Sequence, residues 1–225
     1  MARLRLAVLA SGRGSNLQAL IDAIADGQLA AAIVGVFSDK PDAPALERAR
    51  HAGLPARALR PRDFTTRLAY DRALFEQVDQ AGADLIVCAG YMRLISQPQV
   101  QPRVGRMLNI HPSLLPAFKG LHTHQQALDA GVDVHGASVH FLAPELDGGP
   151  VISQARVPVV SGEDAATLGR RVLAREHPLL VQTLRLFAAA RVALVDGVVH
   201  LDGHAVHAPL QLDRDDRFGP ATWAG

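Results

Sequence analysis

The stretch "LNIHPSLLP" sets Asn109 and His111 two positions apart at the end of a short apolar run, immediately before Pro112. On a strand, residues i and i+2 share a face, so the amide and the imidazole point the same way. Asn109 brings an amide donor, and His111 an imidazole of the kind that titrates near neutrality. "ELDGGPV" supplies a carboxylate at Asp147, followed by two glycines whose backbone can approach a ligand closely. The three groups suit acyl transfer to an amine. An amide and a protonated imidazole stabilise the oxyanion of a tetrahedral intermediate, and a nearby carboxylate favours the imidazolium and orients it. Because the amine itself attacks, no serine or cysteine nucleophile is needed. Ser113 follows the histidine but sits in no nucleophile-elbow pattern. The structural alternative is a hydrogen-bonded core histidine and an aspartate in a turn, and spacing alone does not decide between the two.

A second constellation is the glycine turn "SGRGSN", residues 11–16. Gly12 and Gly14 permit backbone angles and close approaches that side chains obstruct. Ser15 and Asn16 are placed to cap a following helix, whose N-terminus suits an anion, phosphate above all. A dinucleotide fingerprint lacks its third glycine here, although an acid, Asp39, does follow the second strand; a Walker-type loop lacks its Gly-Lys-Ser/Thr. A plain tight turn is the remaining reading. His122, His124, His135 and His140 raise the question of a metal, but no HExxH pattern accompanies them, and no metal is expected. Lys119, Arg60, Arg62 and Arg67 could meet acidic ligands or form a solvated basic surface. Glu176 could face a ligand or solvate its helix.

These residues must be positioned by the elements around them. "LRLAVLA" reads as a first strand leading into the glycine turn, and "LQALIDAIADGQ" as a helix with Leu17, Leu20, Ile21 and Ile24 on one face. "AAIVGVFS" is a second buried strand, "APALERARHAG" a short helix with Gly53 at its C-cap, and the stretch from Arg60 becomes a third helix. "DLIVCAG" and "RMLNIH" are further short strands. Such alternation predicts an α/β fold with a mostly parallel, helix-covered sheet. "GASVHFL" and "PVISQARVPV" read as later strands with antiparallel or mixed pairing. Asp164 to Ala190 is the longest helical stretch, with Pro178 at a kink or boundary. "VALVDGVVHLDGHAV" reads as a hairpin with Asp-Gly turns. The long loop over residues 113–135, with glycines as hinges, is expected to move. Residues 1–207 are expected to form one domain and 208–225 a mobile C-terminal tail.

Composition narrows the classes. With 225 residues, 48% of them hydrophobic and 20% charged, the chain has the make-up of a folded soluble protein. A formal net charge of +1 gives no case for a nucleic-acid partner. The single cysteine, Cys88, excludes an intramolecular disulfide framework and fits a reducing, cytoplasmic setting. The apolar run near the N-terminus stops at a glycine turn, so it is read as a strand rather than a signal peptide. No run approaches the length of a membrane span.

In their order along the chain, "SGRGSNLQALIDA", "VFSDKPDAPALERARHAG", "AGYMRLIS", "LNIHPSLLPAFKGLHTHQQAL", "HGASVHFLAPELDGGPVISQARVPV" and the "EH" before Pro178 resemble the folate-dependent phosphoribosylglycinamide formyltransferases, the glycinamide ribonucleotide transformylases of the formyltransferase superfamily. The likeness spans residues 4–205. It implies a Rossmann-like three-layer sandwich and transfer of the formyl group of 10-formyltetrahydrofolate, the co-substrate, to the amine of glycinamide ribonucleotide in purine biosynthesis. It also implies a monomer or homodimer with small-molecule substrates and no metal, nucleic acid or membrane partner. The catalytic residues it implies are Asn109, His111 and Asp147. Gly14, Ser15, Asn16 and Glu176 would contact the ribonucleotide. The folate would meet Arg67, Met92, Arg93, Leu94 and Ile95, and the backbone of Ala143, Pro144, Glu145 and Leu146. Arg13 in the glycine turn and the pair Ala143-Pro144 depart from the family pattern. Methionyl-tRNA formyltransferase would share the three catalytic residues but carries a C-terminal tRNA-binding domain, which this chain is expected to lack. Formyltetrahydrofolate hydrolase carries a regulatory domain before a glycine turn that here begins at residue 11. A nicotinamide- or nucleotide-binding Rossmann protein would account for the turn and sheet alone.

Overall fold

Leu6, Ala7, Val8 and Leu9 are all wholly buried, which makes β1 (Leu4–Leu9) a strand covered on both faces, as parallel sheets require. The structure is a computed structural model describing residues 3–219; residues 220–225, the end of the expected tail, lie outside the described residues. The chain divides into two compact units, Met1–Asn109 and Ile110–Gly225, and the division falls inside β5 (Met107–His111) rather than in a linker.

In the first unit, β1 is followed by α1 (Ser15–Ala25), β2 (Ala31–Ser38), α2 (Pro44–His51), β3 (Ala56–Ala58), α3 (Arg67–Gln80), β4 (Leu85–Cys88) and the single turn α4 (Gln97–Val100) before β5. The strands pair in parallel in the order β5-β4-β1-β2-β3. The chain moves to one edge through β2 and β3, then returns past β1 to β4. Because parallel crossovers are right-handed, this reversal puts α1 and α2 on one face and α3 on the other. The reversal between β1 and β4 is a topological switch point, where open α/β sheets bind ligands. The register sets Leu9 opposite Phe37 and Cys88, and Cys88 opposite Asn109, so the carboxyl ends of these strands form one edge. The helices bury Leu17 and Leu20, Leu46 and Ala49, and Leu74, Phe75 and Val78.

In the second unit, β5 leads to α5 (Thr123–Asp129), β6 (Val134–Phe141), β7 (Val151–Pro158), α6 (Ala165–Ala188), β8 (Val192–Val195), β9 (Val198–Leu201), β10 (His204–Ala205) and β11 (Leu210–Leu212). β6 and β7 are antiparallel, with an irregularity between Val139 and His140, and α6 packs on both. Gly149 permits the return: a Cβ there would lie 1.9 Å from the Phe141 carbonyl oxygen. The larger sheet thus runs β11-β7-β6-β5-β4-β1-β2-β3 and is mostly parallel. β8, β9 and β10 form a small antiparallel sheet, and both its turns, Asp196-Gly197 and Asp202-Gly203, have positive φ at both residues, the primed geometry that suits tight hairpins.

Three expectations are revised. α6 runs through Pro178 without a boundary; Leu168 and Val172 before it, and Leu179, Leu180 and Leu184 after it, are all buried, so packing outweighs the missing N–H. The stretch read as a mobile tail contains β11, parallel to β7, with Leu210 and Leu212 buried. Ser15 and Asn16 do not cap α1: they are its first residues, and Gly14 holds the N-cap position. Among the described residues, no helix is long and apolar enough to cross a membrane.

Candidate active site

In the second unit, His111 ends β5 and is buried. Its Nδ1 lies 3.5 Å from Asp147 Oδ2, and its Nε2 lies 3.0 Å from the carbonyl oxygen of Phe118. Both ring nitrogens therefore face acceptors, and only the imidazolium carries a proton for each. Asp147 stands in the left-handed region at φ 46, a conformation aspartate tolerates better than most residues. Its Oδ2 also accepts the Gly120 N–H at 2.9 Å.

On the other side of Asp147, His140 Nε2 approaches Oδ1 at 3.7 Å. Nδ1 of His140 lies 2.9 Å from the Phe141 carbonyl, so it carries the proton. Burial pushes this imidazole down to about 4, outweighing the nearby Asp147 charge. Near neutral pH, His140 thus presents a lone pair, not a charge, to the carboxylate. The sequence reading considered His140 only as a metal ligand; its place beside Asp147 depends on the β6–β7 pairing and carries no local signal.

The segment expected to be a mobile loop is tied to the β6–β7 pair. Ser138 Oγ accepts the Leu115 N–H at 3.0 Å and donates to the Ser113 carbonyl at 2.7 Å. Gln154 Nε2 donates to the Leu115 carbonyl at 2.9 Å and to Ser138 Oγ at 3.0 Å. These bonds fix Ser113 and Leu115, ahead of the Phe118 carbonyl and the Gly120 N–H that meet His111 and Asp147. Nearby, His124 Nδ1 and His135 Nε2 lie 3.1 Å apart; burial, then the His124 charge, pushes the wholly buried His135 down to about 4. Among the described residues, no group of three or more His, Cys, Asp or Glu is arranged to hold a metal. Ala143 to Leu146 form the approach to Asp147, with Pro144, Glu145 and Leu146 exposed. Lys119 Nζ donates to Glu145 Oε1 at 2.8 Å, and that bond holds the Glu145 carboxyl below its ordinary range. Glu176 is buried on α6 rather than solvating it.

In the first unit, Gly14 has φ 71, and a Cβ there would lie 2.7 Å from Ala45 Cα, so only glycine fits. The Ala45 N–H donates to the Gly12 carbonyl at 3.1 Å, and Arg48 Nε to the Arg13 carbonyl at 2.8 Å. α2 thus holds the turn. No side-chain hydrogen bond caps α1. The turn is joined to the loop after β4: the Ser11 N–H donates to the Gly90 carbonyl at 3.0 Å, and the Met92 N–H to Ser11 Oγ at 2.9 Å. Met92 and Leu94 are exposed, while the Arg93 guanidinium lies over the Tyr70 ring, 5.0 Å from its centroid. Arg67 is the first residue of α3, after the capping Thr66. Asn109 sits on β5 opposite Cys88, two residues before His111. Burial raises the Cys88 thiol to about 12, so it is inert. Ser11 and Tyr70 escaped the sequence reading, since neither lies in a motif that names its partner.

Residues 4–184 match the formyl transferase family. The chain is 46% identical over 200 residues to the phosphoribosylglycinamide formyltransferase of Escherichia coli K12, covering 89% of this chain and 94% of that protein. It is 45% identical over 190 residues to the trifunctional purine biosynthetic protein adenosine-3 of Bos taurus, covering 84% of this chain and 19% of that longer protein. The solved structure of the phosphoribosylglycinamide formyltransferase of Coxiella burnetii matches with a TM-score of 0.88 at 42% identity, over 91% of this chain and 96% of that one. With its parallel switch-point sheet and these relatives, the chain belongs to the formyl transferase family.

Proposed function

We propose that this protein is a transferase that moves the formyl group of 10-formyltetrahydrofolate to the amine of glycinamide ribonucleotide, giving formylglycinamide ribonucleotide and tetrahydrofolate. The observation that carries the reading is His111, buried at a strand end with Nδ1 toward a carboxylate and Nε2 toward a carbonyl. The folate supplies a formyl carbon bound to N10.

In the reaction, a bond forms between the glycinamide nitrogen and the formyl carbon, and the bond from that carbon to N10 breaks. One proton passes from the attacking nitrogen to N10. Negative charge develops on the formyl oxygen, and the Asn109 amide and the His111 Nε2–H donate to it. The formyl oxygen then replaces the Phe118 carbonyl as the acceptor for Nε2. Asp147 orients the imidazole through Nδ1 and, with water, relays the proton to N10. The glycine turn at Gly14, Ser15 and Asn16 takes the ribonucleotide phosphate at the start of α1, and Glu176 takes the ribose. Arg67 and Met92 to Ile95, and the backbone of Ala143 to Leu146, receive the folate.

The test is a formyl-transfer assay with three acceptors: glycinamide ribonucleotide, methionyl-tRNA and water. Transfer to the ribonucleotide alone supports the reading. Transfer to the tRNA, or hydrolysis of the folate without an amine acceptor, overturns it.

A further inference from the structure

Tyr70 and Asp71 take no part in the chemistry above, yet both reach from α3 to the segment 91–96. Tyr70 is wholly buried, and its hydroxyl lies 2.9 Å from that of Tyr91. The Arg93 guanidinium covers its ring. Asp71, 1% exposed, accepts the Ser96 N–H through Oδ2 at 2.8 Å. With the bond from the Met92 N–H to Ser11 Oγ, the segment is held near both ends. Between those ties, Met92 and Leu94 are 64% and 55% exposed. Two large apolar side chains are thus displayed on a backbone that cannot relax to bury them.

Asp71 is an expensive way to fill space. Its Oδ1 and the Ser96 Oγ are buried without a hydrogen-bond partner, and an unsatisfied buried oxygen costs free energy that an apolar residue of similar size avoids. Its presence is explained by the oxygen that is used, which fixes the position of Ser96. The paired tyrosine hydroxyls do the same for Tyr91, one donating to the other in a place where burial raises both phenols above their ordinary range.

We propose that Tyr70 and Asp71 are positioning residues: through the 91–96 segment, these two side chains set affinity for the folate co-substrate without touching it. This rests on the reading of Met92 to Ile95 as folate-facing. A segment held in its binding shape spares the ligand the cost of ordering it, so loosening the ties weakens folate binding selectively.

The experiment compares Asp71→Ala, Asp71→Asn and Tyr70→Phe with the wild-type chain. It measures kcat, the two KM values, thermal stability and tetrahydrofolate affinity by calorimetry. Asp71→Ala is expected to raise the folate KM about tenfold, or about 1.4 kcal/mol, with the ribonucleotide KM held within about twofold. Asp71→Asn keeps an acceptor for the Ser96 N–H and should return the folate KM to within about twofold of wild type. Tyr70→Phe removes only a hydroxyl, so it reads the proposal even if Asp71→Ala does not fold; about a threefold rise in folate KM is expected. Parallel rises in both KM values, an Asn variant no better than the Ala variant, or an unchanged folate KM in folded variants would overturn the proposal. If the wild-type protein binds tetrahydrofolate but transfers no formyl group, the functional reading fails. The tetrahydrofolate affinities of the variants then still decide the role of α3.

Discussion

Replacing Asp147 with Asn removes one charge and little else. The Asn carbonyl can take the place of Oδ2 and keep the Gly120 N–H, which now donates at 2.9 Å. The Asn NH2 then falls where Oδ1 was, 3.7 Å from His140 Nε2, a lone pair on a ring that burial keeps neutral near pH 7. Loop and carboxamide are therefore both held. What disappears is the ionic term at His111 Nδ1, 3.5 Å away, between side chains only 7% and 9% exposed. At an effective dielectric of about 20 that term is about 4–5 kcal/mol, and the neutral carbonyl that remains recovers part of it, leaving a loss of about 3 kcal/mol. At 1.36 kcal/mol per decade, kcat is expected to fall about a hundredfold. Ribonucleotide affinity, measured by calorimetry, should stay within about twofold. Single-turnover formyl transfer is the assay. A variant rate within about threefold of wild type, or a parallel loss of ribonucleotide binding, would refute the assignment of Asp147.

Gly14→Ala forces a Cβ to within 2.7 Å of Ala45 at φ 71; it should raise the ribonucleotide KM about tenfold or more while costing about 1–3 kcal/mol of stability, and an unchanged KM would remove the turn from the site. Ser138→Ala strips Leu115 N–H and Gln154 of their shared partner and should cost about 2–3 kcal/mol in urea unfolding, a prediction refuted by an unshifted midpoint. His135 and His140, both pushed down to about 4 by burial, bind fewer protons folded than unfolded below the ordinary histidine value. Stability should therefore fall as pH drops from about 6.5 towards about 4, with uptake of up to about two protons on unfolding. Flat unfolding midpoints across that range would contradict the burial of these rings.

The parallel half of the fold is legible because burial on both faces leaves continuous apolar runs such as Leu6 to Leu9, and helices between them show their own periodicity. The two Asp-Gly turns near the C-terminus are legible for a local reason, since the primed turn needs positive φ at adjacent residues. Pro178 misleads because the sequence registers a missing N–H but not the leucines that keep both halves of α6 packed. β11 hides because three residues are too few to show a period. At the site, residue type alone suggests the chemistry proposed for Asn109, His111 and Asp147. Their surroundings are not legible: Ser138 and Gln154 hold Ser113 and Leu115 from strands remote in the chain, and Ser11 holds Met92 in the same way. Glycines in a long loop suggest motion, while the ties on its first residues, Ser113 and Leu115, come from strands remote in the chain.

One oxygen serves two masters at this site. Asp147 Oδ2 receives the Gly120 N–H and stands against His111 Nδ1, so the place of the loop and the orientation of the imidazole are linked. A ligand that takes over Nε2 from the Phe118 carbonyl releases one anchor of the loop while the other persists through the carboxylate. If the proposed formyl oxygen makes that exchange, a spectroscopic probe on the 118–120 segment would register its arrival without observing the ring.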